Sequence, residues 1–413
     1  MKRSRTRLVA TVSATAMLAA LTACGTAAST GAGTPSSPAS GPTGTPVKVG
    51  LLNPSGGPVP EPGVAIGAEA AVKYINGELG GVGGRPLQLI GCATDTTPES
   101  VQACANTFVS DGVVAVLDGY NQASSAALPT LTGARIPLVG MIPFDSVTGA
   151  QAADRVFFAA PQASFLIGAL QAFKAEGKKS VTLALVDTPA AHQTIDGLLP
   201  VLSKALGITA KGIYFSATNP NFTAVAAAID AGNPDVGGLM ASPSEAVCTS
   251  LVKGLRQLGY QGTIFTAACT EYIKDAPAQS AGGALYSSNW LPAARAYAPP
   301  GVRTQLDIAT RYLGDSPDYY AVGEFALAVN FAKALDSGNT ASVTGTSVLS
   351  TLKALKNFPT FLGPTVTCGS KTSPDCTTQM LLFTVQADGS IKPVTGGWVT
   401  PARPILQQIP GAV

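Results

Sequence analysis

One histidine, His192, stands in 413 residues, and charged side chains make up only 12% of them. The lone imidazole restricts the chemistry at once. A Ser-His-acid hydrolase would depend on His192, and no G-x-S-x-G stretch precedes a helical pattern. Multi-histidine metal centres are excluded, and no C-x-x-C pair replaces them. No G-x-x-x-x-G-K-[ST] loop is present. The Gly-rich "GELGGVGGRP" follows a helical pattern and precedes a strand, so it reads as a helix stop and turn. "STLK" (350–353) has no SDN or KTG companion and reads as amphipathic helix. No catalytic set, metal or cofactor is expected; the chain reads as a binder and not an enzyme.

Charge is scarce as well as balanced. Proteins usually carry about a quarter charged residues. Beyond residue 24 this chain has 22 basic and 24 acidic side chains and no basic patch, which excludes nucleic acid as a partner. Long apolar runs are also missing. The stretch Leu8–Ala20 falls well short of the ~20 residues of a spanning helix. It follows Lys2, Arg3, Arg5 and Arg7 and leads through small residues to Cys24, the layout of a cleaved export signal over 1–24. Residues 25–46 contain only Gly, Ala, Ser, Thr and Pro and are expected to form a flexible linker.

Six cysteines remain: Cys92, Cys104, Cys248, Cys269, Cys368 and Cys376. Outside a cell an even number points to disulfides. Sequence alone allows several pairings; proximity favours 92–104, 248–269 and 368–376. Each would contribute about 2–4 kcal/mol.

From Val47 onward, short aliphatic runs alternate with helical patterns. "VKVGLL" is a strand, and the helix after it carries Val64, Ala68, Ala71, Val72 and Ile75 on one face. Strands "RPLQLIGC", "VVAVLDG" and "IPLVGM" follow with helices between, and "RVFFAAP" (155–161) reads as an extended crossover. The order then restarts with "SVTLALVD", "ITAKGIYF", "VGGLMAS", "GTIFTAA" and "GALYSSNW". Two β–α series predict an α/β protein with two similar lobes, each a doubly wound parallel sheet. Residues 380–398 read as a hairpin turning at Asp388-Gly389. Ligands bind at the carboxyl ends of such strands. That selects loops 53–62, 119–124, 141–146, 187–193, 242–245, 266–271 and 287–292.

Several stretches carry a family resemblance. "LTAC" before the linker resembles the lipobox of bacterial lipoproteins, whose cysteine takes a diacylglyceryl group and then acyl chains such as palmitate. "VKVGLLNPSGG", "GAEAAVKYINGELGGVGGRPLQLIGCATDTTPES", "GVVAVLDGYNQASSAALPTLTGARIPLVGM" and "PDYYAVGEFALAVNFAKAL", in that order, resemble the substrate-binding lipoproteins of ABC importers related to leucine/isoleucine/valine-binding proteins. The resemblance implies a type I periplasmic-binding fold with three crossovers as a hinge. Lobe I would hold 47–158 and 293–362, lobe II 159–292 and 363–400, with 401–413 as a tail. It also implies a lipid anchor at Cys24 on the outer side of the cell membrane, an ABC permease as partner, and a monomer. Cys92 with Cys104 is similar to a disulfide that some members carry.

The resemblance assigns ligand contacts to the selected loops. Tyr120, Asn121, Gln122 and Ser124 stand where relatives hold a carboxylate, although Asn121 and Ser124 also suit helix capping. Met141 and Phe144 stand where amino-acid binders offer Ser or Thr. His192, Ser242, Thr266 and Trp290 complete the set, with an exposed helix residue as the alternative for His192 and core packing for Trp290. Asp118, Asp145, Glu245 or Glu271 could supply an acid. The donor set for a zwitterion is thin, and buried charges must be paired. The expected ligand is a small organic molecule, neutral or singly charged, amphipathic or aromatic. A branched-chain amino-acid binder and a ligand-sensing lipoprotein without transport are the alternatives.

Overall fold

Five strands form the first sheet: β1 (Val47–Asn53), β2 (Leu87–Ala93), β3 (Val116–Leu117), β4 (Leu138–Gly140) and β5 (Arg155–Phe157). They are parallel in the order β2-β1-β3-β4-β5. The computed structural model describes residues 41–407 apart from 58–59, 151–153, 217–219, 242–243, 316, 339–341 and 372. The export signal, Cys24, most of the linker and Ser242 lie outside the described residues. Val49, Leu51 and Leu52 of β1 are all buried, as expected of a strand covered on both faces.

The second sheet repeats the first. It contains β6 (Ser180–Val186), β7 (Thr209–Phe215), β8 (Val236–Leu239), β9 (Thr263–Thr266) and β10 (Ala284–Ser287), parallel in the order β7-β6-β8-β9-β10. A short antiparallel pair follows, β11 (Phe358–Pro359) with β12 (Thr365–Val366). Two antiparallel strands, β13 (Leu381–Val385) and β14 (Ile391–Pro393), then extend the second sheet beyond β10. They form the expected hairpin, with Gly389 at φ +81° in its turn.

The stretch at 155–161 departs from the sequence reading. Its first three residues are the fifth strand of the first sheet, and only the rest leads across. Arg155 is buried there. Its guanidinium donates to Thr148 O at 2.7 Å and Val147 O at 2.9 Å and pairs with Asp154, which satisfies a charge that burial would otherwise penalise.

Three segments connect the sheets: the residues after β5, Ser288–Leu291, and the stretch between β12 and β13. Residues in and beside them bond together, with Phe157 at the end of β5 and Leu362 in the turn between β11 and β12. Trp290 N–H donates to Leu362 O at 2.8 Å, Phe157 N–H to Pro374 O at 2.9 Å, and Cys376 N–H to Phe157 O at 2.8 Å. The disulfide Cys368–Cys376 lies in the third segment. Cys92–Cys104 joins β2 to the helix α2 (Pro98–Asp111), and Cys248–Cys269 joins the helix α3 (Glu245–Gln257) to the loop after β9. Proximity in sequence thus named all three partners.

Two helices fix the cleft side of the first sheet. Helix α1 (Pro62–Glu78) buries Val64, Ala68, Ala71 and Ile75. Across it lies α4 (Tyr319–Ser337), in which nearly every residue to Leu335 is buried. Asp318 caps α4 by accepting from Ala321 N–H at 2.7 Å. The two helices meet through glycines of α1. A Cβ at Gly67 would lie 2.3 Å from Ala321 O, and one at Gly63 would lie 2.2 Å from Asp318 Oδ1.

This contact predicts the outcome of a paired substitution. Gly67→Ala must push the helices apart and should cost about 1–3 kcal/mol. Gly77→Ala on the same helix meets nothing within 4 Å and should be neutral or stabilise by up to about 1 kcal/mol. Urea denaturation of both variants measures the difference.

Candidate functional site

In each five-strand series the strand order reverses at one point, between β1 and β3 and again between β6 and β8. Open α/β sheets bind ligands at the carboxyl ends beside such a point. In the first sheet this is the turn Asp118-Gly119-Tyr120. Gly119 has φ +60°, and a Cβ there would lie 1.9 Å from Leu52 O, so only glycine fits. Tyr120 follows at φ +57°, an unfavourable value for a bulky residue. The turn throws its side chain under α4. The ring meets Tyr320 edge-on at 5.2 Å, Tyr319 at 6.0 Å and Phe144 at 5.7 Å. Its hydroxyl is buried beside Ser288 without a hydrogen bond of ordinary geometry.

The residues expected to hold a carboxylate are committed elsewhere. Asn121 donates to Thr94 Oγ1 at 2.6 Å and accepts from Ala123 N–H at 3.0 Å, so both ends of its amide are used. Ser124 bonds Asp118 and the Asn121 carbonyl. Gln122 is exposed. Met141 is buried in the core and Phe144 is partly buried against Tyr120. Thr266 is buried, with its hydroxyl toward Ala284 O at 3.4 Å. Trp290 is 2% exposed and packs edge-on against Phe383 at 6.0 Å. In the structure it packs in the core, because the second connecting segment turns it into the second sheet. His192 is half exposed between Asp187 (2.9 Å) and Asp196 (3.2 Å) and stacks on Tyr214. Those two carboxylates hold its pKa above the usual value.

What gathers at the strand ends instead is acid and tyrosine. Glu61 precedes α1 and makes no capping bond. Asp318 sits against the first turn of α1. From the second sheet's side, Glu245 opens α3, and its carboxylate accepts from Thr270 N–H at 2.9 Å and Glu271 N–H at 2.9 Å. Burial, then Asp318, Glu245 and Glu271, push Glu61 up to about 8. Burial raises Glu245 to about 7 against the pull of its two N–H donors. Asp318 is raised by burial and opposed in part by Lys274. Burial, with Glu61, Tyr286 and Glu245 among the neighbouring groups, raises Tyr320 well above its ordinary value.

Behind them, Asp118 and Glu324 are fully buried, and both oxygens of Glu324 lack a partner. Burial lifts Asp118 to about 8 and pushes Glu324 well above its ordinary value. Asp145 is spent on capping Ser125 and Thr148.

Sequence reasoning named Glu245 and Glu271 and missed Glu61, Asp318, Tyr286, Tyr319 and Tyr320. Glu61 did leave a signal: glutamate stands at a helix start where Ser, Thr, Asp or Asn is preferred. The tyrosines had none, since only the α1–α4 contact brings residues near 320 to those near 61.

Comparison with known proteins places this geometry. Residues 46–390 match the family described as periplasmic binding protein. No curated protein gives a significant match. Among solved structures, the fold is similar to a fatty acid ABC transporter substrate-binding protein from Thermomonospora curvata, at 14% identity, TM-score 0.73, with 90% of this chain and 97% of that one covered. A leucine-binding protein from Thermotoga maritima matches at 16% identity, TM-score 0.69, covering 86% and 99%. An ABC transporter substrate-binding protein from Aeropyrum pernix matches at 17% identity, TM-score 0.70, covering 88% and 97%.

The raised acids set a pH dependence. Between about 4.5 and about 8 the folded protein keeps a proton on Glu61 that the unfolded chain has released. Stability of the ligand-free protein should therefore fall as pH rises through that window. Melting temperature followed across it should decline, and Glu61→Gln should flatten the slope. A slope untouched by the substitution would remove Glu61 as its source.

Proposed function

The chain belongs to the periplasmic binding protein family, and from that premise we propose that it captures a small organic molecule between two lobes and hands it to an ABC permease. The fold is the type I periplasmic-binding fold, and the protein is a ligand-binding protein of the ABC transporter kind. The observation that carries the proposal is the duplicated strand order, with one switch point in each series of the kind at which open α/β sheets bind ligands. In this proposal the three connecting segments serve as a hinge between a lobe of 47–158 with 293–362 and a lobe of 159–292 with 363–400. The ligand has an amphipathic or aromatic body, in keeping with the tyrosine wall.

Anchoring belongs to the same proposal. Cys24 carries the acyl chains, and the residues up to 46 form the tether. Its end is tied to the body: Thr43 N–H donates to Gly84 O at 2.9 Å and Arg85 Nε to Thr45 O at 2.7 Å. Among the described residues no helix is long and apolar enough to cross a membrane. Lipid is therefore the attachment that the proposal requires.

Two measurements check this reading. Solution scattering should record a smaller radius of gyration when a cognate solute is added, because closure follows ligand. Cys24→Ser should move the protein from the membrane fraction to the medium; retention at the membrane would sink the anchor.

A further inference from the structure

We propose that His192 is a proton-operated latch on the loop at the second sheet's switch point, tying the end of β6 to the turn beyond it only while both ring nitrogens carry hydrogen. That this loop belongs to a binding site rests on the solute-binding reading; the latch itself rests on three observations. First, both nitrogens face carboxylate oxygen. Nε2 lies 2.9 Å from Asp187 Oδ1, and Nδ1 lies 3.2 Å from Asp196 Oδ2. A neutral imidazole has one N–H and one lone pair, so it can donate to only one of these oxygens, whereas the imidazolium donates to both. Second, the ring is held in place. It stacks on Tyr214 of β7 with centroids 4.2 Å apart and planes 27° from parallel, and the His192 backbone N–H donates to Thr188 O at 3.1 Å. An aromatic face favours the positive ring over the neutral one. Third, the two carboxylates belong to different pieces of the chain. Asp187 is the first residue beyond β6, and its N–H donates to Phe215 O at 2.8 Å. Asp196 lies in the π-helical turn Gln193–Leu198. Such turns are rare and are frequent at functional sites.

β6 borders the switch point between β6 and β8, so the latch holds a loop where open α/β sheets take their ligands. Among the described residues, the titratable groups that face the ring are Asp187 from the end of β6, Asp196 from the turn and Tyr214 from β7. The hydrogen bond to Asp187, then that to Asp196, raises the imidazole above its ordinary value of 6.5. The folded midpoint thus lies above the unfolded one. The double bridge is complete below about 6.5 and is lost as pH rises through the folded midpoint. One carboxylate then faces a lone pair, and their repulsion releases the turn from the strand end. Exposed ion pairs hold weakly, so the effect falls on the loop and not on the fold. The second side of the site therefore has two arrangements, set by pH.

The test reads the one imidazole of the chain in untagged protein. Isotope-labelled histidine gives a single ring C–H resonance. Its titration midpoint should lie above 6.5, and Asp187→Asn and Asp196→Asn should each lower it. Hydrogen exchange of the amides in 188–198, corrected for its intrinsic pH dependence, should quicken as pH passes that midpoint and stay level in His192→Gln. A midpoint at or below 6.5, or one that neither asparagine moves, overturns the bridge. Exchange that ignores the titration, or follows pH alike in His192→Gln, overturns the latch. The three side chains are at least half exposed, so each variant should melt with the parent. Both readouts need no solute, and their failure leaves solute binding standing. That reading fails separately, if no member of a broad solute library compacts the protein.

Discussion

The contact of α1 with α4 is the constraint on which the rest of this molecule depends. It joins segments some 250 residues apart, a separation whose loop-closure cost grows only slowly with length. Gly63 and Gly67 let the helices approach until the Asp318 carboxylate and the Ala321 carbonyl rest on the α1 backbone. Everything that faces the cleft from the first lobe follows. Glu61 stands one residue before α1, Tyr319 and Tyr320 open α4, and Glu324 lies one turn inward over Asp118. Glycine is poor inside a helix by about 1 kcal/mol. Here that loss is offset by backbone contact that no larger residue could make.

The second side of the cleft is built by different means. Glu245 is held by the N–H groups of Thr270 and Glu271, which belong to the loop after β9. The disulfide Cys248–Cys269 clamps that loop to α3, one helical turn beyond Glu245 and one residue before Thr270. A covalent link so close to the carboxylate removes slack from the one acid on this side that is held by hydrogen bonds. The first side relies on packed helices and the second on a cross-linked loop. Trp290 packed on Phe383 anchors one of those segments in the second sheet.

Much of the fold was legible because period and punctuation agree. Aliphatic runs such as "VKVGLL" and "SVTLALVD" are buried strands, Thr97-Pro98 opens α2, and Gly112 closes it in the left-handed conformation. The stretch "RVFFAAP" was misread because three residues are too few to show a period, and its pairing with β4 is set by tertiary contact. The site was legible only where it is local. Glu245 and Glu271 sit in loops that follow strands, and strand order locates such loops. Trp290 follows a strand, and its packing on Phe383 is set by tertiary contact that no local pattern shows. Asn121 and Ser124 suited both capping and ligand contact, and local hydrogen bonding won, as it commonly does for short polar side chains in turns.

The scarcity of charge sharpens the meaning of the acids. With charged residues at 12%, most of this protein's polar surface is uncharged. Carboxylates set partly or wholly out of water are costly unless paired. Burial dominates at Asp118 and Glu324 and pushes both upward, with Asp145 adding at Asp118 and Asp118 adding at Glu324. Glu61 is placed differently. It lies at the cleft with three carboxylates acting on it, and its proton is retained only to about 8. A group so poised keeps its proton well above the ordinary carboxylate range, because burial and neighbouring like charge both disfavour the ionised form.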